Sequence, residues 1–361
     1  MSAGQQIWLI ARLELGRVFF SRRSFWVYLL ALFPTVLFLG HAFSVEMKKQ
    51  RWAGAREVRP EIVARMEQGL TEAQVLEMAG KPNEDRSVQR RVRPQGEKAE
   101  PPRQQTRRYM VYFDGNRRVD LTFEDGVLTT KRARELVDFE EDRRIYAAMF
   151  QFFYLRLAIF FGCLGIFINL FRGEMLDRSL HFWFLAPVKR EVLLLGKYCA
   201  GLIAAALIFG SGALLSFLAM TVPQRPAELG MFWQTIGVEH AAWYAAAAVL
   251  ACVGYGSVFL AAGLLLRNPI VPAVVILLWE SINGFLPEML QKLSVLHYVQ
   301  SLCPVPVPMP GDVSPVLKLL LAPAAPSPAW VSVTGLLAMT ALVLWAAARA
   351  ARRLEINYGT E

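Results

Sequence analysis

The chain has 361 residues, 55% hydrophobic and 19% charged, with a net charge of +9; an average soluble domain is about 45–50% apolar and about 25% charged. That apolar excess excludes an ordinary soluble domain and points to burial in lipid. The positive charge suggests an anionic partner, but most Lys and Arg stand at the ends of apolar runs or inside one polar segment, which fits membrane orientation and no nucleic acid.

Residues 5–20 pattern as an amphipathic helix. Ile7, Trp8, Ala11, Leu15, Val18 and Phe19 share one face, and Gln5, Arg12 and Glu14 lie away from it. Apolar runs long enough to cross about 30 Å of hydrocarbon follow at 24–45, 148–171, 198–222, 241–266, 269–287 and 330–348. The expectation is a mainly α membrane protein with six transmembrane helices, divided as 1–45 (interfacial helix and first span), 46–145 (an α+β insert) and 146–361 (five further spans). "FWVYLLALFPTVLFLG" follows a lead containing Arg12, Arg17, Arg22 and Arg23 that is long for a secretory signal, so it reads as an uncleaved span.

Positive residues of short loops mark the cytoplasmic side. Arg12 to Arg23 precede span 1, Arg172, Arg178, Lys189, Arg190 and Lys197 lie between spans 2 and 3, Arg267 lies between 4 and 5, and Arg349, Arg352 and Arg353 follow span 6. Both termini are therefore expected in the cytoplasm and the insert outside.

Within the insert, Pro60 opens one helix, Thr71 is the N-cap for "EAQVLEMA", and Gly80 with Pro82 stops it. The Pro-rich stretch 93–105 reads as a loop. "YMVYF", "RVDLTF" and "VLTTK" read as a three-stranded antiparallel meander joined at Asp114-Gly115-Asn116 and Asp125-Gly126. On Gly69-Leu70-Thr71, Gln74-Val75 and Gly80-Lys81-Pro82, residues 62–131 resemble the small outer-membrane-assembly lipoproteins of the SmpA/OmlA type. That resemblance implies a domain that binds envelope proteins and is not an enzyme; a plain spacer is the other reading.

Familiar catalytic patterns are missing. Gly80-Lys81 is followed by proline and Gly196-Lys197 by tyrosine, so neither forms a phosphate-cradling loop, and Glu239-His240 lacks a second histidine one turn on. His41, His181, His240 and His297 have no metal spacing, Cys163, Cys199, Cys252 and Cys303 form no C-x-x-C pair, and Ser211, Ser216 and Ser257 suit helix packing. No cofactor is expected on this chain.

Between spans 2 and 3 the chain reads "RGEMLDRSLHFWFLAPVKREVLLLGK" over 172–197, far more than a connection needs. "GEMLDRSLHFWFL" suits a short helix with Glu174 and Asp177 in its first turn, stopped at Pro187. Such an amphipathic helix lies on lipid or docks on a protein. With the order of first span, large insert and second span, and with Glu174, Asp177, Arg178, Pro187, Lys189, Arg190, Gly196 and Lys197, residues 5–45 and 146–361 resemble the membrane subunit of type-2 ABC transporters. The glycine-threonine pair that family often has near Ser179-Leu180 is absent. The resemblance implies a coupling helix docking on a separate ATPase subunit, which binds the ATP. Trp183 and Phe184 would be its anchors, and a second permease copy or homologue would complete a dimer.

Arg156 and Glu280 stand inside apolar runs, and Asn283 shares the face of Glu280. By the same resemblance these line a transport path; otherwise they are end-of-span residues reaching headgroups. Arg156 and Glu280 have similar depth and are candidates for an ion pair. The function expected is an ABC permease subunit, an exporter; a membrane scaffold or sensor whose insert binds envelope proteins is the alternative.

Overall fold

A computed structural model describes residues 2–21, 24–92, 103–176, 188–266, 270–283, 286–306 and 327–352. The chain forms two compact units: Met1–Leu39 with Glu140–Glu361, and Gly40–Phe139, which interrupts the first in sequence.

The first unit is helical. Helix α1 (Ala3–Phe20) starts from a capping box in which the Ser2 hydroxyl accepts from the Gln5 amide and the Gln5 side chain accepts from the Ser2 amide. Helix α2 (Ser24–Trp52) carries the first apolar run and continues into the second unit. Within that unit lie α3 (Pro60–Arg65) and α4 (Glu72–Ala79), described below; after it comes α5 (Phe139–Met149), which passes through a π-helical stretch (Phe150–Ile159) into α6 (Phe160–Leu176). Helix α7 (Arg190–Thr221) is followed by α8 (Pro226–Phe232), a short π turn (Trp233–Gly237) and α9 (Val238–Leu265). Then come α10 (Ile270–Ile282), the short α11 (Glu288–Gln291) and α12 (Val295–Gln300), and finally α13 (Ala329–Arg352).

Five of these helical segments, among the described residues, are long and apolar enough to cross a membrane: Ser24–Trp52, Phe139–Met175, Arg190–Thr221, Pro226–Leu265 and Ala329–Arg352. Of the sixth span expected at 269–287, the described residues form α10, whose 13 residues extend about 20 Å at 1.5 Å per residue; residues 267–269 and 284–285 lie outside the described residues. Pro287 is the N-cap residue of α11, and α12 follows.

Small residues let these helices approach closely. A side chain at Gly212 would put its Cβ 2.7 Å from the Ala31 carbonyl oxygen, so α2 and α7 meet there backbone to backbone. Buried tyrosines close their polar ends on backbone: the Tyr146 hydroxyl donates to the Ala213 carbonyl at 3.0 Å and that of Tyr154 to the Phe209 carbonyl at 2.8 Å.

The second unit packs α3 and α4 on one face of an antiparallel sheet of order β1-β2-β3-β4, with β1 Glu84–Val92, β2 Arg103–Phe113, β3 Arg117–Glu124 and β4 Val127–Glu135. Met110, Tyr112, Val119, Leu121, Phe123 and Leu128 alternate inward against Val63, Met66, Val75 and Ala79. Thr71 and Gln74 form a capping box, Gly80 takes φ +70° at the helix end, and Asp125-Gly126 turn with φ 50° and 85°. The three-stranded expectation is corrected to four. Strand β1, "EDRSVQRRV", pairs antiparallel with β2 from Glu84↔Val111 to Val92↔Arg103, yet as an edge strand it has almost no apolar alternation to reveal it. Of the expected loop 93–105, Arg103, Gln104 and Gln105 belong to β2, and 93–102 lie outside the described residues.

Candidate functional site

The most concentrated chemistry in the first unit lies where α1, the end of α6 and the first turns of α7 meet. Ile10 packs on Val192 and Leu193, with Ile7 and Val188 around them. Gly196 faces Ile10 so closely that a Cβ there would stand 2.8 Å from the Ile10 Cβ. This approach sets the next residue, Lys197, between helices with none of its side chain exposed.

Buried, an ammonium must be paired. The Lys197 Nζ donates to Glu14 Oε1 at 2.7 Å and pairs with Glu174 Oε1 at 2.9 Å, and the Phe171 ring lies 5.4 Å from it. Both glutamates are buried, at 4% and 7% exposure. One cation between two carboxylates leaves an excess of negative charge. Arg17, largely exposed, answers it from the rim, donating to Glu174 at 3.4 Å and standing 4.0 Å from Glu14. Glu174 lies in the last turn of α6, where the helix dipole disfavours an anion, so the two cations also offset that cost.

This geometry changes two expectations. The buried face of α1 is Ile10, Ala11, Glu14 and Val18, with Trp8 exposed, so Glu14 points inward, not away. Glu14 stands four residues after Ile10, three after Ala11 and four before Val18; that spacing is the signal by which the sequence could have placed it on the buried stripe. Glu174, expected to open a separate helix, instead belongs to α6 and has a buried partner.

The remaining docking candidates divide. Lys189 is exposed and precedes α7 as its N-cap residue. Arg190 reaches the end of α13, donating to the Ala351 carbonyl at 3.2 Å and the Arg352 carbonyl at 3.3 Å, while Glu191 pairs with Arg352. A guanidinium on terminal carbonyls satisfies orphan acceptors and the dipole together. Asp177, Arg178, Trp183, Phe184 and Pro187 lie outside the described residues.

Of the path candidates, Glu280 is buried near the end of α10. It accepts from the Ser294 hydroxyl and from the Val295 amide at 3.1 Å, and the same Ser294 oxygen accepts from the His297 amide at 3.1 Å. Glu280 thus holds the start of α12. Asn283 is buried beyond the end of α10, and its carbonyl accepts from the Leu286 amide. Arg156 sits in the π-helical stretch with its guanidinium 5.7 Å from the Phe152 ring centroid. The Arg156–Glu280 ion pair does not form: Ser294 and Val295 donate to Glu280, and the Arg156 guanidinium stands over Phe152.

Among the described residues no group of three or more His, Cys, Asp and Glu could hold a metal ion. Ser211, Ser216 and Ser257 each donate back to a carbonyl of their own helix. Compared with protein-family models and with curated proteins, the chain matches none.

Proposed function

We propose that the chain is the membrane-spanning permease subunit of an ABC transporter, an exporter of the bacterial inner membrane, driven by a separate ATPase subunit that docks on the connection over 172–197. The observation that carries this reading is the bracing of that connection. Its first root, Glu174, and its last, Lys197, are pinned to each other and to α1 through Glu14. A linker that only returned the chain to the membrane would need no such brace. A surface that is pushed must pass displacement to the spans, and three buried charges cannot separate without stranding one of them at high cost. The ends of α6 and α7 and the helix α1 would therefore move together when the partner moves.

In this reading both termini face the cytoplasm, the unit Gly40–Phe139 stands outside, and α10 with α11 and α12 makes the sixth crossing as a broken element. A second copy or a homologue completes the path, lipid covers the apolar faces, and ATP is bound and hydrolysed on the partner. The outer unit offers a surface for an envelope protein. Tyr109 and Val88 are exposed on the sheet face opposite the helices, beside Arg86 and Arg132, the mix of aromatic and arginine that interfaces favour. That surface also favours the alternative of a scaffold or sensor.

Affinity purification of the full chain in mild detergent tests the choice. An ABC ATPase should co-elute, and Trp183→Ala or Phe184→Ala should weaken it by about 2 kcal/mol, roughly thirtyfold, and lower coupled ATP turnover. Glu174→Lys is unsuitable as a docking probe, because it would set a second cation against buried Lys197. Co-elution of envelope proteins without any ATPase would favour the scaffold.

A further inference from the structure

Arg156 is half-buried in the middle of a membrane-spanning helix, over the Phe152 ring, and its Nε is buried without a hydrogen-bond partner. Among the described residues no carboxylate pairs with it; Glu280, the acid nearest in depth by sequence, is engaged by Ser294 and Val295. Tyr255, fully buried, lies within electrostatic reach of both Glu280 and Arg156. A guanidinium with no counter-ion is costly in hydrocarbon. Here it is carried on a π-helical stretch, a departure from α geometry that often marks functional positions. Along the same stretch and just beyond it, Phe152, Leu157 and Phe161 are exposed apolar side chains.

We infer that Arg156 receives the anionic head, a phosphate or carboxylate, of an amphiphilic substrate whose apolar part lies along Phe152, Leu157 and Phe161. The word substrate rests on the transport reading above. Planar guanidinium donors match both oxyanions in bidentate fashion, and a charge-assisted bond in a low-dielectric site is stronger than one in water. A phosphate of a bilayer lipid would satisfy the same donors, so the two sources have to be told apart.

The test uses the full chain in dodecyl maltoside, with dodecyl phosphate as the anionic probe and dodecyltrimethylammonium as its cationic counterpart, binding being counted by native mass spectrometry. The wild-type protein should retain dodecyl phosphate at least about tenfold more tightly than the cation. Arg156→Gln should lose that preference, and Arg156→Lys should keep most of it. Equal retention of the two amphiphiles by the wild type overturns the inference even if Arg156→Gln fails to fold, as does unchanged preference in a folded Arg156→Gln. A further arm starts from nanodiscs of phosphatidylcholine and phosphatidylglycerol. Arg156-dependent retention of a bilayer phospholipid that dodecyl phosphate does not displace would make the residue a headgroup anchor and end the inference. Because no ATPase enters this readout, failure to capture one would leave the anion site standing, and absence of binding would leave the docking reading standing.

Discussion

Lys197 and Arg108 each hold two carboxylates, in different solvents. Arg108, in the second unit, pairs with Glu72 at 2.7 Å and with Asp85 at 2.6 Å, while its side chain remains 30% exposed. Lys197, in the first unit, holds Glu14 and Glu174 at similar distances with nothing exposed. Distances alone would rank the two sites as equals. Water separates them: it screens the Arg108 pairs and stands ready to hydrate any member left alone, whereas a charge stranded beside Lys197 has no such recourse. The exposed site decorates a fold that hydrophobic packing already fixes. The buried one ties three helices together.

The sharpest way to break the comparison is Lys197→Met, which leaves Glu14 and Glu174 facing each other in the interior. Removing one partner of a buried pair costs about 3–5 kcal/mol, so the melting temperature of the full chain in detergent should fall steeply. The triple change Glu14→Gln, Lys197→Met and Glu174→Gln should recover most of the loss, because the charges leave together. Glu280→Ala sharpens the contrast with a carboxylate held by neutral donors. It strands the Ser294 hydroxyl and the Val295 amide, costs about 1–3 kcal/mol, and should speed amide exchange in α12. Gly196→Ala reaches the network indirectly by pressing a methyl on Ile10. Overpacking of this kind costs about 1–3 kcal/mol, and Ile10→Ala in the same chain, which removes the Cγ2 and Cδ1 contacts but keeps the Cβ, should relieve it only in part.

At the exposed site the effects shrink. Arg108→Ala should cost no more than about 1 kcal/mol, and less in high salt. The Arg108 guanidinium holds the Asp85 carboxyl below the usual carboxylate range. A depressed acid contributes stability above its unfolded value, about pH 3.9, and loses it as pH falls through the lowered folded value. Amide exchange in β1 and β2 should therefore rise slightly in that acid window, and Arg108→Ala should abolish the increment. Tyr112 behaves in the opposite sense. Burial pushes its hydroxyl up to about 12, so its contribution is whole below about pH 10 and is lost as pH climbs through 12. Tyr112→Phe should remove that alkaline loss.

Much of this fold was legible because the signals were local. Thr71 with Gln74, Gly80, and Asp125-Gly126 carry their own stereochemistry, and each ends or turns an element where the sequence expects it. Long apolar runs announce full-length helices for the same reason. What failed needed knowledge of neighbours. Strand β1 is built by backbone pairing to β2, and its charged side chains say nothing of it. Glu14 was misplaced because a carboxylate reads as solvent-facing, and the Lys197 that makes its burial tolerable is 183 residues away. The candidate site was half visible: the charge density of 172–197 stands out in the sequence, but its brace is a tertiary event.

The central claim is that the connection between the second and third spans is a surface on which an ATPase docks. A photo-crosslinking residue placed by Trp183→p-benzoylphenylalanine, in the full chain and in intact cells, tests it directly. Irradiation should yield an adduct containing an ABC ATPase subunit, diminished by Phe184→Ala. An adduct with lipid alone, unchanged by Phe184→Ala, would show a helix lying on the membrane and would contradict the account.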